Sequence, residues 1–216
     1  MNIKGVIFDM DGLMLDTEKL LTRFWREAAA FYGFNMTKDH VLSIRSLSGN
    51  LTKAKLQRIF GTGFDYAAVR QKRIELMNDH IEKNGVEKKK GLDELLDYLR
   101  KNGFKTAVAT ATDFKRTENY LKKAGIIDKF DQFVCGDMIK KGKPAPDIYI
   151  AACQELDLKP EECIALEDSP NGILSAYQAG CMPIMVPDLS EPDEQTKKLL
   201  YAKISSLDKL IDILKV

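Results

Sequence analysis

A change of rhythm at Gly91 constrains this 216-residue chain more than any other feature. Downstream of it, apolar runs too short for helices alternate with stretches of helical spacing. Leu92, Leu95, Leu96 and Leu99 form a helix stripe ended by Gly103, and residues 106–109 then read as a buried strand. Asp113 is placed to cap a helix carrying Tyr120, Leu121 and Ala124 and closed by Gly125, after which residues 132–135 read as a strand. A helix over 147–156, a strand over 163–166, a helix ending at Gly180, a strand over 183–186 and a closing helix marked by Leu207, Leu210, Ile211 and Leu214 complete the series. Residues 6–8 add a fifth strand at the N-terminus. Strands separated by helices pair in parallel, with the helices covering both faces. The fold class expected is α/β, a doubly wound parallel sheet.

Residues 17–84 break the alternation. Asp16 and Thr17 are positioned to cap a helix, and Leu20, Leu21, Phe24, Trp25, Ala28, Ala29 and Tyr32 follow at helical spacing until Gly33. Thr37 opens a short helix, and 51–60 and 67–81 supply two more with apolar stripes. No strand pattern occurs there. Residues 83–91, with two glycines and the run Lys88-Lys89-Lys90, read as a return linker with a solvated charge run. The division expected is an α/β core over 1–16 and 85–216, with 17–84 as an all-helical insertion.

The first strand stops at Asp9-Met10-Asp11-Gly12. In a parallel sheet, ligands gather where strands end. If the chain is still extended at that point, the side chains of residues 9 and 11 face the same way, and two close carboxylates raise each other's pKa unless a cation or a shared proton intervenes. Magnesium, hard and oxygen-seeking, is the natural remedy, and Gly12 lets the backbone turn sharply toward a ligand. Asp-x-Asp-Gly is also an ordinary turn sequence, so the rest of the chain has to decide.

Composition narrows the field. A net charge near +1 with acids and bases interspersed offers no electrostatic case for nucleic acid or an anionic membrane. No apolar run reaches the length of a membrane span, and the N-terminus lacks the order of a signal peptide, so a cytoplasmic location is expected. Cys135, Cys153, Cys163 and Cys181 form no C-x-x-C pair and read as buried thiols, and with only His40 and His80 a histidine-rich zinc site is not expected.

Polar chemistry recurs at the other strand and loop ends: Thr110, Lys143, and Glu167 with Asp168. The second acidic pair completes an oxygen cage for magnesium, while the ammonium and the hydroxyl remain to hold an anion. Four stretches occur in order: Asp9-Met10-Asp11-Gly12, Ala109-Thr110-Ala111-Thr112, Gly142-Lys143-Pro144-Ala145-Pro146-Asp147 and Glu167-Asp168-Ser169-Pro170-Asn171-Gly172. Together they make the whole chain resemble the haloacid dehalogenase superfamily, in the branch of small sugar-phosphate phosphatases and β-phosphoglucomutase.

The resemblance implies a Rossmann-like core whose helical insertion is a mobile cap, hinged near residues 14–17 and 84–91. It implies Asp9 as the nucleophile that becomes an aspartyl phosphate, and Asp11 as the acid and then the base. It implies Mg2+ held by the Asp9 carboxylate, the Asp11 backbone carbonyl and Asp168, with Glu167 bound directly or through water. Thr110, the Ala111 amide, Thr112 and Lys143 would hold the transferring oxygens. Arg45, Ser46, Ser48, Asn50 and Lys53, polar residues in the second cap connection, are candidates for reading a small phosphorylated metabolite. The function expected is magnesium-dependent hydrolysis of a phosphosugar or phosphorylated nucleoside by a monomer. A mutase is the nearest rival, but its pattern has histidine where this chain has Leu21, and a Lys-Gly-x-x-Arg loop where this chain reads Ser48-Gly49-Asn50-Leu51-Thr52. A phospho-acceptor signalling domain also groups acids, a hydroxyl and a lysine at strand ends, but would not set its acceptor on the first strand beside a second Asp or carry the helical insertion. A non-catalytic phosphoester-binding protein is the remaining alternative.

Overall fold

Val6, Ile7 and Phe8 are wholly buried, as a strand covered on both faces requires. They form β1 (Gly5–Phe8) in the computed structural model, which describes residues 2–215. β2 (Lys105–Thr110), β3 (Gln132–Cys135), β4 (Cys163–Glu167), β5 (Met182–Met185) and β6 (Ala202–Lys203) join it in one parallel sheet. The order is β3-β2-β1-β4-β5-β6. The chain runs outward from β1 in one direction and then, from β4, in the other, so the topological switch point lies between β1 and β4.

Alternate residues of β1 feed two cores. Val6 and Phe8 pack with the stripe of α5 (Leu92–Lys101), with Tyr120 and Leu121 of α6 (Phe114–Lys123), and with Leu207 and Leu210. Ile7 packs on the opposite face with Ile148, Tyr149 and Ala152 of α7 (Asp147–Glu155) and Ala176 of α8 (Pro170–Gln178). Burying each large apolar side chain contributes about 1.5–3 kcal/mol, which makes these two layers the main source of stability.

The sixth strand and a short helix, α9 (Glu194–Lys197), correct the five-strand reading. β6 has only two residues, partly exposed at the sheet edge, so no apolar run announces it. α9 rests on the Asp193 cap, whose carboxylate accepts from the Thr196 amide at 2.7 Å, and α10 (Leu210–Leu214) closes the chain.

Between β1 and α5 lie the remaining helices, α1 (Glu18–Phe31), α2 (Lys38–Leu42), α3 (Gly49–Phe60) and α4 (Tyr66–Asn84). They share a separate apolar cluster of Trp25, Ala28, Met36, Val41, Leu56, Phe64 and Val69. The two connecting segments run side by side. Leu15 and Lys88 form an antiparallel bridge, flanked by Asp16 N–H to Glu87 C=O and Lys89 N–H to Met14 C=O, both 2.8 Å. All four cysteines are buried and unpaired, and no described helix is long and apolar enough to cross a membrane.

Candidate active site

Asp9 follows β1 directly, and its amide extends the ladder by one bond to the Leu166 carbonyl of β4 at 3.1 Å. The carboxylate is therefore held at the switch point, beside Glu167 and Asp168 where β4 ends. Lys143, in the loop before α7, lies beneath it with no exposure. Its ammonium donates to Asp9 Oδ1 at 2.5 Å, Glu167 Oε1 at 2.6 Å and the Ala109 carbonyl at 2.9 Å, which uses all three of its protons. Burial alone would lower the Lys143 pKa, but Asp9 and Glu167 outweigh it and keep the amine charged. Glu167 is itself committed: Oε1 also accepts from the Tyr149 hydroxyl at 2.6 Å and Oε2 from Ser169 Oγ at 3.3 Å.

One oxygen from each of Asp9, Glu167 and Asp168 lies within 4.8 Å of the others. Burial raises the Asp9 pKa well above the usual range against the pull of Lys143, and raises Asp168 against the pull of Arg45. A fourth buried acid, Glu18 at the start of α1, is pushed up to about 8 by burial, with Arg45 opposing. Four buried acids thus face two buried cations, Lys143 and Arg45, a deficit that one divalent cation would remove. Asp168 Oδ1 is buried without a hydrogen-bond partner, and oxygen-only donors suit magnesium, so these residues fit that ion. Two glycines are required by the acids. A side chain on Gly12, at φ +86°, would meet Asp168 Oδ2 at 2.2 Å, and one on Gly172 would meet the Glu167 carboxyl carbon at 1.9 Å.

Asp11 stands outside this cluster but lines the same cavity as Asp9. Thr17 Oγ1 donates to its Oδ1 and Thr112 Oγ1 to its Oδ2, both at 2.7 Å. This corrects the expectation that Thr17 caps α1: it occupies the cap position without making a side-chain cap bond. Leu21 also lines the cavity, so the restraint on Asp11 comes from two threonines where the mutase pattern has a histidine. Thr110 is buried and its hydroxyl accepts from the Thr112 amide at 3.1 Å, while Ala111 is the exposed turn between them.

Thr110, Ala111 and Thr112 line a cavity of about 120 Å³ that the insertion closes from above. Of the five expected cap readers, Arg45 and Ser46 reach it. Arg45 is buried, bonded to Asp168 and 3.5 Å from Glu18. Asn50 and Lys53 are exposed and off the cavity, which corrects their assignment as substrate contacts. Helix α3 starts at Gly49, and its buried positions are Thr52 and Leu56, so residues 50 and 53 fall on its outer side. Ser48 docks the loop instead, its amide donating to the Lys143 carbonyl at 3.3 Å. The wall that sequence reading missed comprises Glu18, Trp25, Tyr66, Arg70, Arg73 and Arg116. One signal was available: Arg73 sits in the stripe Val69, Arg73, Met77, Ile81 at i, i+4 spacing, where an apolar residue belongs.

Residues 6–186 match the haloacid dehalogenase-like hydrolase family. The chain belongs to it. Hexitol phosphatase A of Escherichia coli is 33% identical to this chain, over 89% of it and 90% of that protein. A probable pseudouridine-5'-phosphatase of Drosophila melanogaster is 32% identical over 94% and 89%. The crystal structure of β-phosphoglucomutase from Clostridium difficile superposes with a TM-score of 0.85 over 99% of this chain and 96% of that one, and at 22% identity it speaks for the haloacid dehalogenase fold alone.

Proposed function

We propose that this phosphoric monoester hydrolase of the haloacid dehalogenase type releases phosphate from a small phosphorylated metabolite, a phosphosugar or phosphorylated nucleoside, through an aspartyl phosphate on Asp9. The observation that carries the reading is the Asp9 carboxylate, fixed on one oxygen by a buried ammonium and set among acids that call for a divalent cation. Asp9 attacks phosphorus as the ester oxygen leaves, and Asp11 gives that oxygen its proton. Asp11 then takes a proton from water, whose oxygen attacks the same phosphorus and frees Asp9 and inorganic phosphate.

Magnesium, held by Asp9, the Asp11 carbonyl and Asp168, would screen the nucleophile from the phosphate it approaches. Lys143 opposes the rise that burial imposes on the Asp9 pKa and aims its carboxylate, and Glu167 and Tyr149 hold Lys143 in place. Thr110 and the Ala111 amide bind phosphoryl oxygens, and Thr17 and Thr112 orient Asp11. Residues 17–84 act as a cap that rocks on the paired connectors and excludes water while the ester is cleaved.

The named relatives that hydrolyse phosphate esters support this reading over a mutase, and so does Thr52 in place of the arginine of the mutase loop. The test is phosphate release from a panel of phosphosugars and nucleotides, with and without magnesium, by the wild type and Asp9→Asn. Folded Asp9→Asn should release none, and undiminished release by it would refute the mechanism. Rapid conversion of β-glucose 1-phosphate to glucose 6-phosphate, primed by glucose 1,6-bisphosphate and with little free phosphate, would make the enzyme a mutase.

A further inference from the structure

The cavity has a second charged wall for which the chemistry at Asp9 has no use. Arg70 and Arg73 reach it from α4 and Arg116 from the first turn of α6. Arg73 is 6% exposed, and its guanidinium lies over the Trp25 ring, 5.1 Å from the centroid. An aromatic face accepts no in-plane hydrogen bond, and Arg73 Nε has no partner. Among the described residues, only Arg116 of the three has a carboxylate in ion-pair range: its Nε donates to Asp113 at 2.7 Å. Asp11 faces the same cavity and its charge favours the charged Arg73, but it forms no ion pair with any of the three, and each of its oxygens accepts from a threonine hydroxyl.

A buried guanidinium cannot shed its charge as a lysine can, so an unpaired one is costly. Here the cost is raised by its neighbours: burial first, then Arg116 and Arg70, lower the Arg73 pKa to about 10. Folding alone has no reason to gather three like charges around an open space. An incoming anion does, because guanidinium forks match the paired oxygens of carboxylate and phosphate.

We propose that the substrate is doubly anionic: a short phosphate monoester whose transferring group meets Asp9 while a carboxylate or second phosphate at its far end is held by Arg70, Arg73 and Arg116. This rests on the reading of Asp9 as the phosphoryl site. Two of the arginines belong to the insertion and one to the α/β core, so the second anion also ties the two together over the substrate. The cavity, about 120 Å³, leaves room for only a short link between the two groups.

The experiment compares three phosphonates that the enzyme cannot hydrolyse, binding to the full-length protein with magnesium by titration calorimetry. 3-Hydroxypropylphosphonate has a neutral far end, 3-phosphonopropionate a carboxylate, and ethane-1,2-diphosphonate a second phosphonate. The anionic pair should bind roughly 10- to 100-fold more tightly than the neutral compound, and their order identifies which anion the wall prefers. Arg73→Met, which keeps the stem against Trp25, should erase the preference. Should that variant fail to fold, Arg70→Gln at a half-buried position should reduce it. Equal affinity of the wild type for all three overturns the proposal. Turnover of 3-phosphoglycerate and glycerol 3-phosphate separates the two readings. Hydrolysis without an anion preference refutes the doubly anionic substrate alone. An anion preference in binding with no phosphate release from either ester or from the panel of phosphosugars and nucleotides supports the arginine wall and refutes the hydrolytic function.

Discussion

Replacing Lys143 by methionine keeps an unbranched stem of similar length and removes a charge on which two carboxylates depend. In the wild type that ammonium is fully buried, 2.5 Å from Asp9 and 2.6 Å from Glu167. Breaking a buried pair by deleting one partner costs about 3–5 kcal/mol, because the other charge is left without compensation. At roughly 2–4 °C per kcal/mol for a domain of this size, the melting temperature should fall by about 6–20 °C near pH 8 without magnesium. The sign of the pH dependence follows from Asp9. Its folded pKa is already raised by burial, with Lys143 the largest opposing influence, so removing Lys143 raises it further. An acid with a raised folded pKa binds its proton more tightly in the folded state, so stability falls as pH rises above the unfolded value of about 3.9. The loss should therefore be smaller near pH 5 than near pH 8, and adding Glu167→Gln should restore part of it by removing the second stranded acid. Thermal melts followed by circular dichroism at the two pH values measure this. A fall of less than about 3 °C at both, or a larger fall at acid pH, would refute the account of Lys143 as the counter-ion of the site.

Asp11→Asn should spare esters with good leaving groups: its loss on a sugar phosphate should exceed that on p-nitrophenyl phosphate by about 100-fold, and equal losses would remove Asp11 as the acid. Asp168→Ala should raise the magnesium needed for half-maximal activity by about tenfold or more, and calcium should inhibit the wild type, whereas full activity in excess chelator would eliminate the metal site. Glu18→Gln should flatten the pH dependence of stability in the metal-free protein. Glu18 is raised to about 8, so its proton favours the folded state between about pH 4.5 and 8 and wild-type stability declines across that window. The decline should be roughly 5 kcal/mol, and an unchanged profile in chemical denaturation would reject the assignment.

The alternation after Gly91 made the α/β core legible because a buried parallel strand needs a continuous apolar run and its crossover helix needs a stripe. β6 fell outside that logic, since a two-residue edge strand buries too little to leave a pattern. Asp9, Asp11, Thr110, Lys143, Glu167 and Asp168 were legible because they sit at strand ends and in one loop, each beside a turn residue. The cap side was not. Thr17 has the composition of a cap, yet its hydroxyl goes to Asp11. Asn50 and Lys53 look like binding residues but point off the helix that buries Thr52 and Leu56. Glu18 and Arg116 each look like ordinary first-turn helix charges, and only tertiary packing brings them to the cavity.

The bridge between Leu15 and Lys88 means that the chain leaves the sheet and rejoins it at one point. Whatever lies between those residues has its ends already joined, and lengthening such a loop costs only slowly growing entropy. The helical unit is thus exchangeable: a shorter, longer or differently lined one could be spliced onto the same ribbon without shifting the register of β1 against β2 and β4. New substrates could then be acquired by grafting, with the machinery on the sheet inherited unchanged.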